Sequence, residues 1–139
     1  MKILAIAYAC EPCRGSEPGV GWNWLRQANM MEGVSISVIT RANNQSVIED
    51  YLLNNPDVND DKLDFYYYDL PQKVLKHKHG DKNIKLFYTL WQIGVLTYVK
   101  KYIQLDEYDI IWDFNFGSLS LPDDIAETIL FLASKLARM

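Results

Sequence analysis

The sequence predicts an α/β fold, a three-layer sandwich built on a mainly parallel sheet of about four strands. Three observations predict it. Short apolar or β-branched runs recur along the chain, and segments with helical spacing separate them. The opening run, "KILAIAY" at residues 2–8, is apolar at nearly every position, as in a strand buried on both faces. The 139 residues suffice for one domain, and 49% apolar against 23% charged residues is an ordinary globular balance.

The elements follow in order. Residues 9–18 are rich in turn formers, and from Gly19 to about Met31 the pattern turns helical, with Val20, Trp24 and Met31 near helical spacing. "GVSISVIT", residues 33–40, alternates and is β-branched, so it reads as the second strand. "NQSVIEDYLLNN", 44–55, reads as a helix stopped by Asn54-Asn55-Pro56. "KLDFYYYDL", 62–70, is the third strand, and the polar stretch 72–80 is a loop or short helix. Residues 82–103 form a long helix and "YDIIWDFNF", 108–116, the fourth strand; a turn, "GSLSLP", leads into a final helix over 122–138. Strict β-α alternation of this kind yields a parallel sheet with helices on both faces, a Rossmann-like arrangement. Its ligands bind beyond the carboxyl ends of the strands, where the opening loop and "NFGS" lie.

The totals exclude several classes. A net charge of −4 argues against a general nucleic-acid binder, which needs a basic surface. Two cysteines, Cys10 and Cys13, are too few for a disulfide scaffold. No segment has the length and purity of a membrane span, and no secretory leader is visible, so a cytoplasmic location is expected. His77 and His79 lie in a polar stretch without a second ligand pair, so no metal site is expected.

The loop "CEPCRGSEPGVGWNW", residues 10–24, admits three readings. Cys10-Glu11-Pro12-Cys13 is a C-x-x-C between a strand and a helix, the setting of thiol–disulfide exchange. Gly15, Gly19 and Gly21 would let the backbone approach a phosphate before a helix start, although the spacing matches neither G-x-G-x-x-G nor a P-loop. A tight strand-to-helix turn needs nothing more than the same glycines.

The long helix has apolar residues on two faces. Ile84, Phe87, Trp91, Val95 and Tyr98 share one, and Leu86, Leu90, Ile93 and Leu96 share another. Burial of both is the ordinary outcome. A bare second face would promote self-association or, with the flanking lysines, contact with a membrane surface.

"YACEPCRGSEPGVGWNW" resembles the first loop and helix of family 4 glycosyltransferases of the GT-B fold, a subgroup of which opens with CEP-x-x-GSEPGVGW. The resemblance continues in "VSISVITRANNQSVIE", "LFYTLWQIGVLTYVKK" and "YDIIWDFNFGSLSLP", and so covers most of residues 1–122. It implies an N-terminal, acceptor-side domain of a retaining enzyme that moves sugar from a nucleotide-sugar co-substrate, with no other cofactor. By the same resemblance Gly19, Val20 and Gly21 match the loop near the donor diphosphate, Glu17 the cleft rim, and Arg41, Asn43, Asn44 and Asn115 the acceptor side. Relatives often carry histidine near the position of Asp113, so this chain departs from them there and an acid-base role does not carry over; Asp113 stays the one catalytic candidate, with binding an acceptor hydroxyl or capping a turn as its other readings. Such enzymes close their cleft with a second, nucleotide-binding domain, so these 139 residues are expected to be inactive alone. A separate partner chain would make them a stand-alone binding or assembly module. Residues 122–139, "PDDIAETILFLASKLARM", resemble instead a helix near the end of short-chain dehydrogenases, with Ile125, Ile129, Leu132 and Leu136 on one face. No Tyr-x-x-x-Lys pair accompanies it: Tyr98 and Lys101 are three apart.

Overall fold

A computed structural model describes residues 1–58, 62–80 and 83–114. Asn115, Gly117 and the helix expected over 122–138 lie outside the described residues. The chain divides into two compact units. One holds Met1–Tyr68 and Tyr108–Phe114; the described part of the other is Asp69–Glu107.

The first unit is built on four parallel strands, β1 (Lys2–Ala7), β2 (Ser35–Arg41), β3 (Leu63–Tyr68) and β4 (Ile110–Asp113), in the order β3-β2-β1-β4. This is an α/β sheet of Rossmann type. β1 is central, and five of its six residues are buried, which is why its sequence does not alternate. Lys2, the sixth, donates its backbone N–H to the Asp109 carboxylate at 2.8 Å and so ties the start of β1 to the approach to β4. From β1 the chain steps through β2 to β3, and β4 then returns to the other side of β1. The direction of winding therefore reverses between β1 and β4, and the carboxyl ends of those two strands frame a switch point.

Between β1 and β2 runs α1 (Ser16–Asn29), and between β2 and β3 a 3-10 turn (Ala42–Asn44) leads into α2 (Gln45–Asn54). Aromatic rings fasten the helices to the sheet. Trp22 of α1 stacks on Phe65 of β3 at 6.0 Å and meets Tyr51 of α2 edge-on at 5.3 Å. Trp24 stacks on Trp112 of β4 at 6.2 Å, and Phe114 stands edge-on to both. Because side chains alternate along a strand, Trp112 facing α1 sends Asp113 to the other face. The register Arg41↔Tyr68 and Ile6↔Asp113 puts Ile6, Ile39 and Arg41 on that same face.

α1 begins at Ser16, three residues before the expected start at Gly19. Ser16-Glu17-Pro18 reads as a turn, but a proline in the first helical turn has no intrahelical N–H bond to lose and its fixed φ suits the helix.

In the second unit α3 (Gln72–Leu75) is a single turn followed by a polar bend, and α4 (Ile84–Tyr102) is the long helix. Phe87, Trp91 and Val95 are buried, whereas Leu86 and Ile93 are 53% and 51% exposed. Of the two apolar faces expected of this helix, one is thus buried and the other only partly covered, with Leu90 and Leu96 half-buried. No helix among the described residues is long and apolar enough to cross a membrane.

Candidate functional site

The loop from Tyr8 to Gly15 leaves the carboxyl end of β1 and folds back onto the start of α1. Glu11 N–H donates to the Pro18 carbonyl at 3.0 Å, and the Arg14 guanidinium pairs with the Glu11 carboxylate at 2.7 Å. Cys13 and Ser16 take left-handed backbone, at φ of 59° and 60°, to make the turn. The Arg14 carbonyl then rests against the Cα of Gly19, where any Cβ would collide with it. This is the physical need for glycine at that position: close approach of backbone to backbone.

Gly19 and Gly21 are both buried within α1, while Val20 is 39% exposed. The N–H of a residue four positions into a helix serves the helix itself, so the unpaired donors at this end are those of Gly15, Ser16 and Glu17. Gly15 caps the helix without a side-chain hydrogen bond and is exposed, as is Ser16; Glu17 is half-buried in the first turn. Gly19 and Gly21 therefore do not present their own amides. Gly19 lets the loop lie flat, and the first-turn amides stay at its surface.

At the neighbouring strand end, Arg41 is buried and its guanidinium lies 5.0 Å from the centre of the Tyr8 ring. Asn44 is buried too; its amide donates to Thr40 Oγ1 at 2.9 Å and to the Tyr8 carbonyl at 3.4 Å. Asn44 thus braces the first loop against the second, whereas Asn43 beside it is exposed. The structure brings Arg41 and Asn44 together through Tyr8, a residue the sequence does not single out. Its one signal is an aromatic ring at the very end of the first strand.

Asp113 closes β4. Its Oδ1 is shielded from water and has no hydrogen-bond partner among the described residues. Burial pushes its carboxyl up from the ordinary 3.8 to about 6. A carboxyl so placed exchanges protons near neutral pH and has an acceptor site unfilled, the chemistry required to bind a hydroxyl or to shuttle its proton.

Cys10 is completely buried, and burial pushes its thiol up to about 12. An attacking thiolate needs the opposite shift. Cys13, three residues on, is exposed, and both cysteines are free. Tyr67 on β3 is also raised to about 12, by burial first and then by the Glu49 carboxylate and Cys10. The C-x-x-C thus places one thiol in the core beside Tyr67 and the other at the surface. His77 and His79 are exposed in the second unit.

The chain matches no family model, no curated protein and no solved structure.

Proposed function

We propose that this chain is the acceptor-side domain of a retaining glycosyltransferase, one that takes its sugar from a nucleotide-sugar donor held by a second domain. The observation that carries the reading is the seating of the Arg14 carbonyl on Gly19. It gives a physical reason for the glycine in "SEPGVGW", the segment with the most specific likeness to those enzymes. It also leaves the amides of Gly15, Ser16 and Glu17 at the carboxyl end of the sheet, beside the switch point, where a diphosphate is stabilised by unpaired N–H donors.

On this reading Arg41, Asn43 and Asp113 face the acceptor, and Asn44 holds Tyr8 in place beneath it. Asp113 binds a sugar hydroxyl through its unpaired oxygen. Turnover needs charge stabilisation in a closed, dry cleft, so the chain alone binds weakly and transfers little. A cytoplasmic location, where nucleotide sugars are made, goes with the same reading.

The test is an NMR titration of the chain with uridine and guanosine diphosphates and, separately, with a panel of mono- and disaccharides. Amide shifts should move at Gly15–Glu17 with a diphosphate and at Arg41, Asn43 and Asp113 with a sugar, at millimolar affinity. Shifts confined to other surfaces, or none at saturating ligand, would sink the reading.

A further inference from the structure

β3 stands at one edge of the sheet, and among the described residues its strand neighbour is β2 alone. The register shows which of its backbone groups face outward. Ile36 of β2 lies level with Leu63 and donates its N–H to the Lys62 carbonyl at 2.7 Å, so the β2 ladder engages Lys62, Asp64, Tyr66 and Tyr68. The alternate residues, Leu63, Phe65 and Tyr67, turn their N–H and C=O groups away from β2. No hydrogen bond among the described residues uses those groups. Edge strands are ordinarily blunted by a proline, a bulge, a lysine or a very short length. β3 has none of these. It runs six residues in unbroken register with β2, and its one charged residue is Asp64. Rings hold it in shape, with Trp22 stacked on Phe65 at 6.0 Å and Phe65 on Tyr67 at 6.2 Å, so the edge is preformed.

We infer that the outer edge of β3 pairs antiparallel with β3 of a second copy of this chain, about a two-fold axis at Phe65, and so makes the two sheets continuous. Register and charge choose this occupant. The outward groups overlap fully in one antiparallel register, with Phe65 opposite Phe65 and Leu63 opposite Tyr67, and that register is its own two-fold image. Each of these pairs exchanges two hydrogen bonds. On the other row of side chains the same register sets Asp64 opposite Tyr66 and Lys62 opposite Tyr68. Each charge thus meets a phenol of the second copy and none meets a like charge, which would oppose pairing. An unrelated strand would take the same hydrogen bonds, but nothing in β3 selects its side chains. A seam of one strand pair buries little surface, so the dimer is a weak one, formed at micromolar rather than nanomolar concentration. The inference stands on β3 and is independent of the transferase reading.

The experiment is sedimentation equilibrium of the full chain between micromolar and millimolar concentrations, with hydrogen exchange read at both ends of the range. A monomer–dimer equilibrium should appear. At the high end the amides of Leu63, Phe65 and Tyr67 should exchange about tenfold more slowly than at the low end, whereas those of Asp64 and Tyr66, already bonded to β2, should change far less. Tyr66→Glu sets a carboxylate opposite Asp64 of the second copy, twice in each dimer, and should weaken association about tenfold. Adding Asp64→Lys should restore it, and that rescue separates lost pairing from lost folding. A chain that stays monomeric throughout overturns the inference, even where an added extended peptide protects the same three amides. So does a dimer whose protection falls elsewhere, one that Tyr66→Glu leaves as tight as before, or one that Asp64→Lys does not restore.

Discussion

Two single residues carry most of the testable physics at the switch point. At Gly19 the usual helix rule is reversed. Alanine is the better helix former by about 1 kcal/mol, yet its Cβ would drive the Arg14 carbonyl out of its seat. Gly19→Ala should therefore lose about 1–3 kcal/mol in urea denaturation, as overpacked sites do. Gly15→Ser is the control: space around Gly15 is open, its backbone is extended, and serine is a better cap, so stability should hold or rise by a few tenths of a kcal/mol. Equal losses in the two variants would remove the packing argument. Asp113 works through charge. Its pKa is raised on folding, so the native state binds the proton more tightly than the unfolded chain does. Its favourable contribution is complete below 3.8 and disappears as pH rises through about 6. Asp113→Asn keeps the shape and removes the titration. It should be the more stable protein at pH 8, by about 3 kcal/mol at most, and the difference should shrink steadily toward pH 4. A variant less stable than the parent at pH 8 would mean that the carboxylate has a favourable partner.

Among the elements, α1 shows how two tryptophans separated by a single residue can do different work. Trp22 is 3% exposed and joins α1 to both α2 and β3, whereas Trp24 is 50% exposed and meets β4 with one side of its ring. Trp22→Ala should cost about 3–5 kcal/mol, enough to unfold a marginal domain. Trp24→Ala should cost about 1 kcal/mol, the worth of its ring contacts. Thermal melts of the two variants check the contrast, and a reversed order would mean that α1 is rotated on the sheet. Much at this scale was legible beforehand. All four strands were marked by β-branched and aromatic runs, and both faces of α4 by residue spacing. The start of α1 was not, because Ser16-Glu17-Pro18 is turn-like in isolation and becomes helical only once Gly15 and the Arg14 carbonyl set its first turn. Arg41 and Asn44 could be picked from their place after a strand. That Asn44 is consumed in bracing Tyr8, and that Cys10 is walled in beside Tyr67, depends on contacts between distant segments that no local pattern records.

For the molecule as a whole, the strand order β3-β2-β1-β4 places β1 inside the sheet, between β2 and β4. It has ladder partners on both sides, and Leu4, Ala5 and Ala7 are wholly buried. β4 is shorter, and the described residues give it a partner only on its β1 side. α4 belongs to the second unit and leaves one apolar face only partly covered, so less burial opposes its opening. Hydrogen exchange should read this hierarchy directly, because amides open with free energies ranging from near zero to that of global unfolding. Amides of Leu4–Ala7 and Val38–Thr40 should be slowest and should share one exchange free energy, equal to that from urea denaturation. Those of α4 should exchange earlier and together, and those of residues 76–80, in a polar bend, earliest of all. Adding urea should lower the free energy of the β1 set steeply and that of the 76–80 set hardly at all, since only global opening exposes the core. If α4 shares the slowest free energy with β1, the two units unfold as one cooperative body, and the partly covered face of α4 costs the fold nothing measurable.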